Sequence, residues 1–168
     1  MHADTIDILT TGGTIDKVYF DALSAYQIGP PQALDILREA GVCAVYRIVP
    51  LLRKDSLEID AADRAQIVAA ARRSVATRLL ITHGTDTMVA TAQALLADAT
   101  LAASKTIVLV GAMQPALLRE SDARFNIGFA WAAVQTLPPG VYLTMNGRIH
   151  DPRQTRKNRA AGRFESAD

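Results

Sequence analysis

Two short stretches bring hydroxyls and a carboxylate to places where a chain turns sharply. Thr11-Gly12-Gly13-Thr14-Ile15 closes the apolar, β-branched run that begins at Ile6, and His83-Gly84-Thr85-Asp86-Thr87-Met88 closes the run Arg78-Leu79-Leu80-Ile81-Thr82. An apolar run ending in glycine reads as a buried parallel strand stopped where the backbone is free to turn. Residues just beyond the carboxyl ends of such strands line the crevice in which open α/β sheets bind ligands. Thr14 from one strand and Thr85 with Asp86 from another therefore face a common crevice. Thr87 opens an apolar-periodic run, so Asp86 can also cap a helix, and the two roles are compatible.

The rest of the chain must position these strand ends. Residues 16–30 carry no sustained period and include Tyr19, Phe20 and Tyr26, which argues against disorder; the stretch reads as a lid over the first strand end, closed by Gly29 and Pro30. A helix is expected over residues 31–40, with Pro31 in its first position and a stop at Gly41. A second strand is expected over 44–51, followed by the polar loop Arg53-Lys54-Asp55-Ser56-Leu57-Glu58-Ile59, and Asp60 caps the next helix. Further strands are expected at 79–82, 106–110 and 141–145, and helices at 87–97 and 122–136, with Phe125, Phe129, Ala132 and Ala133 as packing residues of the last. Asn146-Gly147 signals a hairpin that pairs residues 148–150 back onto the fifth strand. The alternation predicts an α/β fold: one doubly wound, mostly parallel sheet of about five strands, helices on both faces and a terminal β-hairpin.

The 168 residues suit one domain, 1–168, with 49% hydrophobic and 21% charged residues. A formal net charge of +1 gives no global field for nucleic acid or an anionic membrane. The basic run Arg148, Arg153, Arg156, Lys157, Arg159 and Arg163 lacks interleaved aromatics and reads as a solvated or intersubunit face. Cys43 is the single cysteine, expected to be a small buried residue; neither a disulfide nor a cysteine metal cluster follows from it. Met1-His2-Ala3-Asp4 lacks the basic region of a leader, and no apolar run reaches the roughly 20 residues that span a bilayer. A cytoplasmic location is the expectation.

Thr11-Gly12-Gly13-Thr14-Ile15 and His83-Gly84-Thr85-Asp86-Thr87-Met88, in this order and spacing, resemble the bacterial-type L-asparaginase family of asparaginase/glutaminase amidohydrolases. Val110-Gly111-Ala112-Met113-Gln114-Pro115 and Ser121-Asp122-Ala123-Arg124-Phe125-Asn126 extend the resemblance, which runs to about Phe164. The resemblance implies a nucleophile at Thr14, with Gly13 beside it and Tyr26 nearby on the lid. It implies a second constellation of Thr85, Asp86 and a lysine, and substrate contacts from Gly13, Ser56, Glu58, Gly84, Thr85 and Asp86. His83 has no catalytic role in that pattern and is expected to pack or bond the backbone. Thr155-Arg156-Lys157-Asn158 resembles the lysine segment, but Arg156 follows the threonine directly. An arginine keeps its proton throughout the working pH range, so Lys157 is the chemically sensible member. Leu57 stands where the family has a glutamine.

The expected reaction is hydrolysis of L-asparagine to L-aspartate and ammonia through a β-acyl-enzyme, with no metal and no cofactor. Because the resemblance ends where the family's C-terminal domain begins, a catalytic domain without that second domain is expected, along with homo-oligomerisation. The rival expectation is a non-catalytic module that binds or senses a small amino acid on the same fold.

Overall fold

The computed structural model describes residues 5–167, so the reading of Met1–Asp4 lies outside the described residues. In chain order the elements are β1 (Ile6–Gly12), β2 (Lys17–Phe20), β3 (Ala25–Ile28), α1 (Ala33–Glu39), β4 (Tyr46–Lys54), α2 (Ala61–Arg73), β5 (Arg78–Thr82), α3 (Met88–Leu96), α4 (Ala99–Ser104), β6 (Thr106–Val110), α5 (Ala123–Thr136), β7 (Gly140–Met145), β8 (Arg148–His150), β9 (Thr155–Asn158) and β10 (Arg163–Ser166). One six-stranded sheet runs in the order β4-β1-β5-β6-β7-β8, parallel except where β8 turns back on β7. This is the expected doubly wound α/β fold.

Side-chain alternation along the strands separates two cores. Leu9, Leu79, Ile81, Ile107, Leu109, Val141 and Leu143 pack under α2, α3 and α4, whereas Ile6, Ile8, Leu80, Val108 and Val110 pack under α1 and α5. Strands buried on both faces explain the continuous apolar runs in the sequence. Pro50 is tolerated within β4 because β4 is an edge strand, paired only with β1.

The expected lid over 16–30 is a β-hairpin, β2 against β3, with Tyr19 opposite Tyr26. Its base is fastened by the Gly29 amide, which donates to the Asp16 carbonyl at 2.6 Å. Helix α1 starts at Ala33 and not at Pro31, because the Gln32 amide donates to the Asp16 carboxylate at 2.8 Å and holds that residue at the cap. Asp60 caps α2 as expected, in a reciprocal box with Asp63. Cys43 is exposed, contrary to expectation: β4 begins only at Tyr46, leaving Cys43 in the connection beyond Gly41, where its thiol meets the Gly41 carbonyl. The packing face of α5 also differs. Ile127, Ala130, Ala133 and Val134 are buried, while Phe125 is 62% exposed and Phe129 is stacked on it at 6.2 Å. Small residues let α5 lie close to the sheet, so Phe125 turns outward and Phe129 is half-buried; Ala133 packs as expected and Ala132 is exposed. The second small hairpin, β9 with β10, carries Arg156, Lys157, Arg159 and Arg163 of the basic run.

Candidate active site

The chain leaves β1 toward β4 on one side and returns to β5 on the other, so the carboxyl ends of β1 and β5 border a topological switch point. Such a point is where open α/β sheets form their ligand crevice. Three strand ends meet there: β4 leads into Ser56, β1 into Thr14 and β5 into Thr85.

Their approach is so close that only glycine fits. Gly13 has φ +89°, and a Cβ built on it would lie 2.4 Å from the Gly84 nitrogen. A Cβ on Gly84 would in turn lie 2.6 Å from the Ser56 Cβ. Hydrogen bonds fix the three loops: the Gly13 amide donates to Lys54 O at 2.9 Å, the Thr11 hydroxyl to Thr82 O at 2.9 Å, and the Thr87 hydroxyl to Ser56 O at 2.7 Å. Thr14 and Thr85, each following a glycine of this contact, therefore flank one seam of backbone.

The geometry assembles Thr85, Asp86 and Lys157. The Lys157 ammonium donates to Thr85 Oγ1 at 2.7 Å and to Asp86 Oδ1 at 2.9 Å. Thr85 is buried, and Lys157 retains only 14% of its side-chain surface. A cation seated on a hydroxyl in partial shelter from water stabilises negative charge at that oxygen and holds it for proton movement. Arg156 points elsewhere and pairs with Glu165 at 3.1 Å. Thr155 and Lys157 share one side of β9 and Arg156 lies on the other, so strand alternation makes the choice between the two cations. Asp86 is not the helix cap: Thr87 occupies that position and spends its hydroxyl on Ser56.

The other expected site residues are placed as follows. Thr14 is half-buried and opens the 3-10 turn Thr14–Asp16. Tyr26 is 52% exposed on the lid, edge-on to Tyr19 at 5.6 Å, and among the described residues no hydrogen bond joins it to Thr14. Ser56 is buried against Gly84. Glu58 is exposed and serves the capping box of the turn Ser56–Glu58, accepting from the Asp55 amide at 3.2 Å. His83 is buried, with Nδ1 2.7 Å from Gly84 O and Nε2 2.8 Å from Thr91 Oγ1; burial pushes its imidazole down to about 4, so it is neutral near pH 7 and braces the loop. The Asp122 carboxylate accepts from the amides of Met113 and Gln114 and from the Asn126 side chain, which clamps the loop after β6.

Residues 5–167 match the family described as Asparaginase, N-terminal. The chain belongs to the asparaginase family. It is 33% identical over 164 residues to a probable periplasmic L-asparaginase of Haemophilus influenzae, covering 90% of this chain and 46% of that protein. It is 32% identical over 155 residues to one of the subunits of the glutamyl-tRNA(Gln) amidotransferase of Methanococcus vannielii, covering 87% and 35%. The thermostable L-asparaginase from Thermococcus kodakarensis superimposes with a TM-score of 0.83 at 28% identity, over 96% of this chain and 51% of that one. The chain thus spans about half the length of the asparaginases it matches. Among the described residues, no helix is long and apolar enough to cross a membrane.

Two charged residues at the site escaped the sequence reading. Arg159 places Nε 3.0 Å from Asp86 Oδ1; its parity with Lys157, two residues earlier, was the available signal. Asp16 lies two residues after Thr14 and is 1% exposed; burial raises its carboxyl to about 7, against the opposing Gln32 amide bond and the Arg53 charge. A lone aspartate after a threonine carries no sequence signal of burial. Much of the basic run turns onto carboxylates: Arg153 meets Asp151, Arg156 and Arg163 meet Glu165, and Lys157 and Arg159 meet Asp86.

Proposed function

We propose that this domain hydrolyses the side-chain amide of L-asparagine to L-aspartate and ammonia. Thr14 Oγ1 attacks the amide carbon, the C–N bond breaks as the nitrogen gains a proton and leaves as ammonia, and water then cleaves the β-acyl ester to restore Thr14. Lys157, Thr85 and Asp86 assist proton movement, and backbone N–H groups beside Thr85 stabilise the oxyanion. Tyr26 closes over Thr14 when the lid is engaged by substrate, Asp86 receives the substrate's α-ammonium, and Ser56 with Glu58 lies toward its carboxylate. The observation that carries the reading is the Lys157 ammonium seated on both Thr85 and Asp86 across the seam from Thr14. Self-association belongs to the same proposal, supported by the exposed Leu117, Leu118 and Phe125.

A second reading is a module that binds a small amino acid without turning it over. It draws support from Thr14 itself, whose hydroxyl has no hydrogen-bonded base among the described residues. Ammonia release from L-asparagine separates the two. Hydrolysis predicts release that Thr14→Ala abolishes; saturable aspartate binding without release above that variant's background would favour the sensing module.

A further inference from the structure

Asp86 faces more positive charge than a receptor for an ammonium group needs. Its Oδ1 accepts from Lys157 Nζ at 2.9 Å and is ion-paired with Arg159, whose Nε lies 3.0 Å away. The neighbouring carboxylate, Asp55, feels Lys157 but is paired with Lys17 at 2.8 Å. Two cations thus face one carboxylate at the position proposed for the α-ammonium. Lys157 is sheltered and also bound to Thr85, so it is fixed. Arg159 is different: it begins the turn between β9 and β10, and its side chain is 67% exposed. A long, solvated side chain on a hairpin turn leaves its partner at little cost.

We infer that Arg159 is a specificity-determining residue that occupies the ammonium-accepting oxygen of Asp86 and competes with the α-ammonium of the substrate. This rests on the proposed hydrolase reading for the location of the ammonium. An amide with an α-ammonium must displace Arg159 or share Oδ1 with two cations. An amide with an uncharged α-carbon leaves the Arg159–Asp86 pair intact and gains a nearby positive charge for its carboxylate. The domain therefore discriminates little between asparagine and deaminated or N-acylated amides of the same length. Arg159 touches neither Thr14 nor Thr85 by any described hydrogen bond, so it acts on binding and not on the chemical step.

Succinamate, which is asparagine without its amino group, is the direct probe. Steady-state ammonia release should show Arg159→Gln lowering KM for L-asparagine about threefold to fivefold, the range expected for releasing an exposed ion pair. KM for succinamate should stay level or rise, and kcat for both should hold. An unchanged or raised KM for asparagine, or a parallel fall for both amides, would overturn the assignment. Calorimetric binding of L-aspartate and succinate supplies a readout independent of turnover. Arg159→Gln should favour aspartate over succinate by the same factor. Absence of ammonia release above the Thr14→Ala background would refute the hydrolase reading, yet the aspartate-to-succinate ratio would still decide on Arg159. An unchanged ratio, or no binding of either ligand, rejects it.

Discussion

Replacing Asp16 with asparagine should stabilise the domain at neutral and alkaline pH, and the gain should vanish in acid. Burial raises the Asp16 carboxyl from 3.8 to about 7. Between those values the folded chain holds a proton that the unfolded chain has released, so stability falls as pH rises, and the full penalty stands above about pH 7. A separation of that size corresponds to at most about 4 kcal/mol. His83 works in the opposite direction, lowered from 6.5 to about 4 by burial. As pH falls through that window the unfolded chain takes up the proton first, which costs at most about 3 kcal/mol. The two slopes oppose each other over the acid range, so the wild-type profile should be shallow there. An asparagine side chain would keep an oxygen for the Gln32 amide while losing the charge, and the His83 slope would stand alone. Urea unfolding near pH 8 should find Asp16→Asn more stable by about 2–4 kcal/mol, with the difference closing near pH 4. Equal stabilities near pH 8, or a difference that grows in acid, would show that Arg53 and the Gln32 amide keep Asp16 ionised and would refute the reasoning.

Lys157→Met should lower ammonia release about a hundredfold or more, because it removes a preorganised cation, whereas Arg156→Met should stay within about threefold; steady-state assays of the pair decide this. Thr85→Val should also abolish most turnover, and combining it with Thr14→Ala should add little to either loss, since the groups act as one unit. Gly13→Ala forces a methyl to within 2.4 Å of the Gly84 nitrogen at φ +89°; a loss of at least about 1–3 kcal/mol is expected, read by denaturant midpoint. Light scattering at working concentration should detect an assembly larger than one chain, and a monomer would remove the self-association claim.

Much of this fold was legible because its period is short and its strands are buried on both faces. The apolar runs at 6–10, 79–82, 106–110 and 141–145, each stopped by glycine or a turn signal, map onto adjacent strands of one sheet. The glycine-hydroxyl pairs were legible for a physical reason too, since only Gly13 and Gly84 permit the backbone contact that brings Thr14 and Thr85 to one seam. The lid hairpin was not, because β2 and β3 are short and largely exposed, so no apolar alternation marks them. The same holds for β9 and β10, half of whose residues are charged and whose order comes from ion pairs such as Arg156–Glu165. Cys43 and Phe125 misled in a shared way. Their apolar character suggested burial, but burial at each place is decided by where a neighbouring element starts or how closely small residues let a helix approach. Asp16 and Arg159 depend on long-range partners, which a local pattern does not contain.

Acylation of Thr14 by the substrate is the step on which the proposed hydrolysis depends. Acid-quenched protein taken during turnover with L-asparagine, measured by intact mass and then by peptide fragmentation, tests it most directly. An aspartyl adduct is expected on the peptide containing Thr14, absent from Thr14→Ala, and enriched when Lys157 is replaced by methionine if deacylation slows more than acylation. An adduct on another residue, or ammonia release by Thr14→Ala at the wild-type rate, would contradict it.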